Sequence, residues 1–595
     1  MHRLQAFMGR AAQTLLDIIA TLSGAYYSGK YAALTRRLGL PRLAASERRG
    51  FVIIQIDGLA HPYLQTALEQ GYAPYIQRLL RRGGYTLHCW RTGLPSSTPA
   101  AQAGIMFGGN DDIPAFRWYD KETEQAVVCK LPGTLRAIRE RLPNRGHGLL
   151  VGGSSLMNMF DGDASLSMFT VGAFHRKRFF ENVRGAGFLL LFVLNPFRSF
   201  KVFLFSIWEY LVDLVQHTHA TLRNQFPRPL EATFPFLRVL SNVVLREIQT
   251  FAVMVDIYRG VSSIYTTYYG YDELAHSYGP TSRTALRALR AIDARIRQID
   301  TLRRMGFTRS YDLYILSDHG MTPALPFRHA YGQTLGEFIH QVVGQTGVNV
   351  SETGGAGWTR ATVGPMYLAD ELVAIEQNTP ASLAHIPRKL RQLVAARIAR
   401  QPQDEELWST AQPGELIVRN SGPMSHVYFS VTPKQMDLSE IAAFCPDLVS
   451  RLLAHEGIGW VMGREMGQVY LMSKQGLAIL DAGYTVEGTD PLESLPRPQL
   501  AAAQLQRLAH FPHAGDLIIM GSYSLETGIC SCFEPQWACH GGMGGAQELA
   551  FMLKPSHLAW DVDSVTQANE IYGLFAGQYP LGPQDVGPEE SSPCR

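Results

Sequence analysis

The chain has 595 residues, 46% hydrophobic and 18% charged, with a formal net charge of +2. That length exceeds one ordinary domain and supports a large buried core. The near-neutral balance, with no long basic run, argues against specific nucleic-acid binding. The seven cysteines are sparse and odd in number, so they make no disulfide framework and read as those of a reducing compartment.

The elements follow in chain order. Residues 1–48 read as an amphipathic helical segment: the apolar stretch from Thr14 is broken by Asp17 and followed by Lys30, Arg36 and Arg37, unlike an export signal. Residues 51–57, FVIIQID, are a continuous apolar run ending in a carboxylate. Such runs mark strands buried on both faces of a parallel sheet. Similar runs stand at 148–152, 262–268, 311–317 and 516–520, with helical patterns at about 73–82, 133–141, 282–304 and 333–344. The alternation predicts an α/β fold, a doubly wound and mostly parallel central sheet with helices on both faces. Ligands of such sheets gather at the carboxyl ends of strands, where Asp57 and Asp318 fall.

Two insertions divide this core into 49–171, 261–330 and 513–577. The first, 172–260, carries the apolar stretch 185–215, cut by Pro196, Arg198 and Lys201 into pieces shorter than a bilayer-spanning helix. It reads as helical, and as either a contact with a membrane surface, which would put a cytoplasmic protein on the membrane's inner face, or a buried hairpin or a dimer surface. The second insertion, 331–512, is expected to form a cap, and the Pro- and Gly-rich tail 578–595 to be loose.

Four segments carry candidate chemistry. In Leu94–Gly104, Pro99 suits a first helical position and puts Thr98 at the cap, where free N–H groups favour an anion; Ser96 and Ser97 are neighbouring candidates. Asp272 and His276 are four apart on a predicted helical turn and project to one side, as two ligands of one metal would. Asp318-His319 follows a buried strand, with Gly320 permitting a sharp turn. His540 precedes the Gly-rich run 541–545. With Asp57 these are three Asp, three His and one hydroxyl, a set suited to two zinc-like ions around a hydroxyl nucleophile.

The order Asp57, Thr98, Asp272…His276, Asp318-His319, His540 resembles the alkaline phosphatase superfamily, and most closely its type I phosphodiesterase/nucleotide pyrophosphatase branch. The resemblance covers about 50–170, 262–330 and 515–556. It implies a phosphoester hydrolase in which Thr98 is transiently phosphorylated. It further implies two divalent metals, zinc by preference. Asp57, Asp318 and His319 would hold one beside Thr98, and Asp272, His276 and His540 the other. A nucleotide or a lipid head group is the expected substrate. The branch usually places an Asn before a Tyr-Asp pair as a phosphate contact. Here Ile113–Asp120 reads IPAFRWYD without one, which leaves Arg117 and Asn110 as the candidates. Two alternatives stand beside hydrolysis: phosphoryl transfer to an alcohol at the membrane, and a non-catalytic membrane-associated scaffold. Outside this set, Cys530, Cys532 and Cys539 suggest a third metal or inert thiols, His426 a cap residue facing the site or a core histidine, and Arg91 a phosphate contact or a strand cap.

Overall fold

A computed structural model describes residues 46–142, 147–173, 245–344, 348–353, 414–481 and 483–581, with isolated positions between 200 and 392. The N-terminal residues 1–45, most of 185–215 and the tail after 581 lie outside the described residues, so the expectations placed on them do too. Among the described residues no helix is long and apolar enough to cross a membrane.

The core is the predicted α/β arrangement. Seven strands pair in the order Tyr85–Arg91, Leu549–Pro555, Tyr311–Leu316, Gly50–Ile56, Ser263–Tyr268, Ser154–Leu156 and Leu166–Met168. The last five are mutually parallel, and the first two form an antiparallel margin on Tyr311–Leu316. Gly50–Ile56 lies between Ser263–Tyr268 and Tyr311–Leu316, with Ile54 opposite both Thr266 and Ile315. Its apolar run follows from that place: Val52, Ile53, Ile54 and Ile56 are wholly buried. Each such side chain contributes about 1.5–3 kcal/mol on leaving water.

Helices cover both faces, and neighbouring residues of one strand show it. Thr267 Oγ1 accepts from Gln102 on the helix Thr98–Phe107, whereas Thr266 Oγ1 accepts from Gln249 on the helix Arg246–Arg259. Successive strand side chains point to opposite faces, so these helices lie on opposite sides of the sheet.

The expected helices are found at Pro74–Arg81, Pro132–Arg141, Arg283–Arg303 and Leu335–Val343. Two of the apolar runs behave otherwise. Residues 148–152 are not a strand: Gly152 takes a left-handed φ of +75°, and pairing begins at Ser154. The run at 516–520 becomes Leu517–Gly521, which joins a second, eight-stranded sheet and pairs antiparallel with Met424–Phe429 and Ile458–Glu465. A strand central in any well-covered sheet is apolar throughout, so its composition does not say which sheet it enters. The tip of the adjoining hairpin, Leu416–Ser421 with Met424–Phe429, reaches the core: a Cβ on Gly422 would lie 2.2 Å from His540 O.

Candidate active site

The parallel strands end on one side, and the candidate residues collect there. Asp57 directly follows Gly50–Ile56, and Asp318 and His319 follow Ser317 beyond Tyr311–Leu316. Asp272 and His276 lie on the helix Gly270–Tyr278, with Asp272 Oδ2 3.3 Å from His276 Nε2. Thr98 is the first residue of its helix, and Ser97, extended at φ −136° and ψ 149°, is the cap. The cap therefore falls one residue before the expected Thr98. Pro99 is tolerated one position deeper because N–H groups throughout the first turn lack helical acceptors. Two close approaches explain nearby glycines. A Cβ on Gly58, whose φ is +68°, would lie 2.5 Å from Asp272 Oδ1, and one on Gly320 would lie 2.1 Å from Ala546 O.

The three imidazoles are oriented alike. His319 Nδ1 lies 2.8 Å from Gly320 O, His276 Nδ1 2.7 Å from Ala538 O and His540 Nδ1 2.9 Å from Ser96 O. A carbonyl oxygen only accepts, so each Nδ1 carries a proton, and in the neutral ring Nε2 keeps its lone pair. Those lone pairs meet carboxylates. His319 Nε2 is 3.4 Å from Asp318 Oδ2 and 3.8 Å from Asp57 Oδ1, and His540 Nε2 is 3.7 Å from Asp272 Oδ1. A cation among these atoms would offset the cost of burying so many acceptors together. Asp318 Oδ2 is buried and meets no hydrogen-bond donor. Burial pushes the Asp318 carboxyl up to about 6, and the charge of Asp272 adds to the rise. Carboxylates, imidazole lone pairs and backbone carbonyls fixing the rings form the donor chemistry of a divalent-metal site.

Asp57, Asp318 and His319 each offer a ligand atom within 4.8 Å of the others, and so do Asp272, His319 and His540. The first group is the expected one. The second differs from expectation by taking His319 in place of His276. The His319 ring lies on His540 with centroids 3.8 Å apart, and the His276 and His540 centroids are 5.1 Å apart. His276 stays beside the group through Asp272. Thr98 Oγ1 donates to Asp57 Oδ1 at 3.2 Å and lies 3.1 Å from His319 Nε2.

The two residues expected to touch phosphate are engaged by the protein. The Arg117 guanidinium forms a buried ion pair with Glu534, whose other oxygen accepts from Gly422 N at 2.8 Å. Asn110 Oδ1 accepts from Arg507 at 2.5 Å. His426 is a core residue: its Nδ1 accepts from Gly515 N at 2.9 Å, and burial lowers its pKa to about 3. Arg91 pairs with Glu548 at 3.7 Å. Cys530 and Cys539 sulfurs are 3.1 Å apart, and burial pushes the Cys539 thiol well up, which makes it a poor nucleophile and ligand.

Sequence reasoning undervalued Ser96. Its hydroxyl donates to Gly542 O at 2.9 Å and accepts from Gly541 N at 3.0 Å, and its carbonyl holds His540, so it ties the Gly-rich loop to the nucleophile segment. The signal was its adjacency to Thr98. Glu534 was missed altogether, because its partner comes from a distant segment.

A family model described as type I phosphodiesterase / nucleotide pyrophosphatase matches residues 202–457, somewhat under half the chain. The match contains Asp272, His276, Asp318 and His319, while Asp57, Thr98 and His540 come to the same place from outside it. No curated protein matches the chain. A solved structure of phosphonoacetate hydrolase from Sinorhizobium meliloti 1021, in complex with phosphonoacetate, is 13% identical, covering 90% of this chain and 98% of that one at a TM-score of 0.42. Murine ectonucleotide pyrophosphatase / phosphodiesterase 5 is 11% identical, covering 90% and 96% at a TM-score of 0.42. Likeness of this extent says nothing of this chain's substrate. The family match agrees with the resemblance carried by the motifs, and the chain is a phosphoric ester hydrolase of the phosphodiesterase type.

Proposed function

We propose that this chain cleaves a phosphodiester or phosphoanhydride through a phospho-Thr98 intermediate at two divalent metal ions. The observation that carries the reading is the position of Thr98 Oγ1, 3.2 Å from Asp57 Oδ1 and 3.1 Å from His319 Nε2, at the start of a helix. Asp57, Asp318 and His319 would hold one ion beside Thr98. Asp272 and His540 would hold the other, with His319 within reach of it and His276 adjoining. When bound, the ions would lower the hydroxyl pKa and offset negative charge on the reacting oxygens. Zinc suits imidazole and carboxylate donors.

In the first step Thr98 Oγ1 forms a bond to phosphorus as the bond to the leaving oxygen breaks. The hydroxyl proton leaves Oγ1, which Asp57 orients, and ends on the departing oxygen. In the second step water attacks phosphorus, the bond to Thr98 breaks, and Thr98 regains a proton. A diester is favoured over a monoester on charge. A monoester carries a second negative charge, and the Arg117 guanidinium that could take it is already neutralised by Glu534. A nucleotide-type phosphoester is the proposed substrate class. The apolar stretch 185–215, with Phe200, Leu204 and Ile207 exposed, is the proposed contact with a membrane surface, to be tested by vesicle flotation with and without it.

The test is hydrolysis of bis-p-nitrophenyl phosphate and p-nitrophenyl phosphate by the metal-loaded protein and its Thr98→Ala variant. The expected result is faster turnover of the diester, abolished in Thr98→Ala. Equal diesterase activity in Thr98→Ala would remove Thr98 as nucleophile. An inert wild-type protein that binds no metal would favour the scaffold.

A further inference from the structure

Two adjacent serines precede Thr98 and are used differently. Both groups of the Ser96 hydroxyl are spent on Gly541 and Gly542. Ser97 is 2% exposed, its N–H donates to Pro95 O and its carbonyl accepts from Ala101 N at 2.9 Å. Its hydroxyl does not cap the helix, and Oγ is buried with no hydrogen-bond partner. A serine at a cap normally turns its oxygen onto the first-turn N–H groups. Here those donors are left over as well. Thr98 and Ala100 are buried, their N–H groups donate to no acceptor among the described residues, and Pro99 has none to give. Three buried donors within one turn of the Thr98 hydroxyl are thus without acceptors. Buried polar groups in folded proteins are nearly always paired, so such a cluster calls for a bound acceptor. The side chains otherwise suited to phosphate are taken: Arg117 by Glu534, and Asn110 Oδ1 by Arg507.

We infer that Ser97 Oγ, with the N–H groups of Thr98 and Ala100, binds a non-bridging oxygen of the phosphoryl group. Ser97 is then a substrate-contacting residue. A hydroxyl proton directed at an oxygen that gains charge in the transition state acts as an oxyanion donor. The inference rests on the phosphoryl-transfer reading above. It concerns the oxygens that do not bond to Thr98, so it can fail while that reading stands.

The test uses the metal-loaded, full-length protein with orthovanadate as the probe. Binding is measured by calorimetry, alongside kcat and KM for bis-p-nitrophenyl phosphate, metal content and Tm. Ser97→Ala removes the donor, Ser97→Cys keeps the volume with a weaker one, and Ser97→Thr keeps the hydroxyl. Ser97→Ala and Ser97→Cys are expected to weaken vanadate roughly 10- to 100-fold, the range for a hydrogen bond to a charged group. The same variants should lower kcat more than they raise KM. Metal content and Tm should hold, because the hydroxyl has no partner among the described residues, and Ser97→Thr should bind vanadate nearly as wild type does. Wild-type affinity in both Ser97→Ala and Ser97→Cys overturns the inference alone. A wild-type protein that binds no vanadate and cleaves no diester overturns the proposed function and this inference with it.

Discussion

The end of the central sheet and the segment that faces it are both rich in buried charge, but they spend it differently. At the sheet end, Asp57, Asp272, Asp318, His319 and His540 aim acceptors at one another, with separations of 3.4–3.8 Å between Nε2 and carboxylate oxygens. Across from it, Arg117 is matched to Glu534, and Asn420 Nδ2 donates to Glu352 at 2.7 Å. The first arrangement gathers acceptors of the kind a cation takes; in the second a buried guanidinium is met by a carboxylate of the protein. Buried charge alone therefore does not mark a site. What distinguishes the candidate site is a cluster of ligand-type atoms within reach of one another.

The largest effect that would break this contrast is at His319, which lies within reach of both ligand groups. His319→Ala should lower kcat/KM for a diester by about 10³-fold or more and reduce bound metal, as expected of residues acting as a unit. Retention of metal and rate would mean that the two groups do not share it.

Next in size is Glu534→Ala, which strands a buried guanidinium. It should destabilise the fold by about 3–5 kcal/mol in urea unfolding. If it instead leaves stability intact and changes vanadate affinity, Arg117 belongs to the site and the contrast fails. Ser96→Ala should be milder, about 1–3 kcal/mol for the loss of its buried hydrogen bonds. It should also raise the metal concentration needed for half activity, because His540 leans on the same loop.

These variants also show what could be read from the sequence. Asp57, Asp318 and His319 were legible because a strand buried on both faces announces its own end, and ligands of such sheets sit at that end. Helical spacing puts Asp272 and His276 on one side of a turn, but only the other motifs make them candidates. The nearness of His319 to His540 was not legible, because it joins residues across a long sequence separation. Nor could residues 516–520 be assigned to the second sheet, since the pairing of Leu517–Gly521 with Met424–Phe429 leaves no local trace. The half-exposed strand Tyr85–Arg91 lacks the apolar continuity of the central strands and was passed over. Ser96 and Ser97 are identical in type and adjacent; only the fold separates the loop anchor from the partnerless hydroxyl.

The smallest effect concerns pH and sharpens the contrast away from the site. His513 lies 2.6 Å from Asp112 and 3.5 Å from Asp120. Burial lowers its pKa, but hydrogen bonds to Asp112 and Asp120 outweigh that and push it up to about 9. A folded pKa above the unfolded one, about 6.5, means the pair stabilises fully below pH ~6.5 and loses this as pH rises through about 9. Tm should therefore decline modestly between these values, and His513→Ala should flatten the decline. A decline of equal size in the variant would assign it to other groups.

Two cations are expected to complete the end of the sheet. The most direct measurement of this is the metal content of the purified full-length protein after zinc loading and desalting, by mass spectrometry of the elements. The expected result is two ions per chain, falling to one or none in Asp318→Asn. A protein that retains no ion, or retains two regardless of Asp318, would contradict the account.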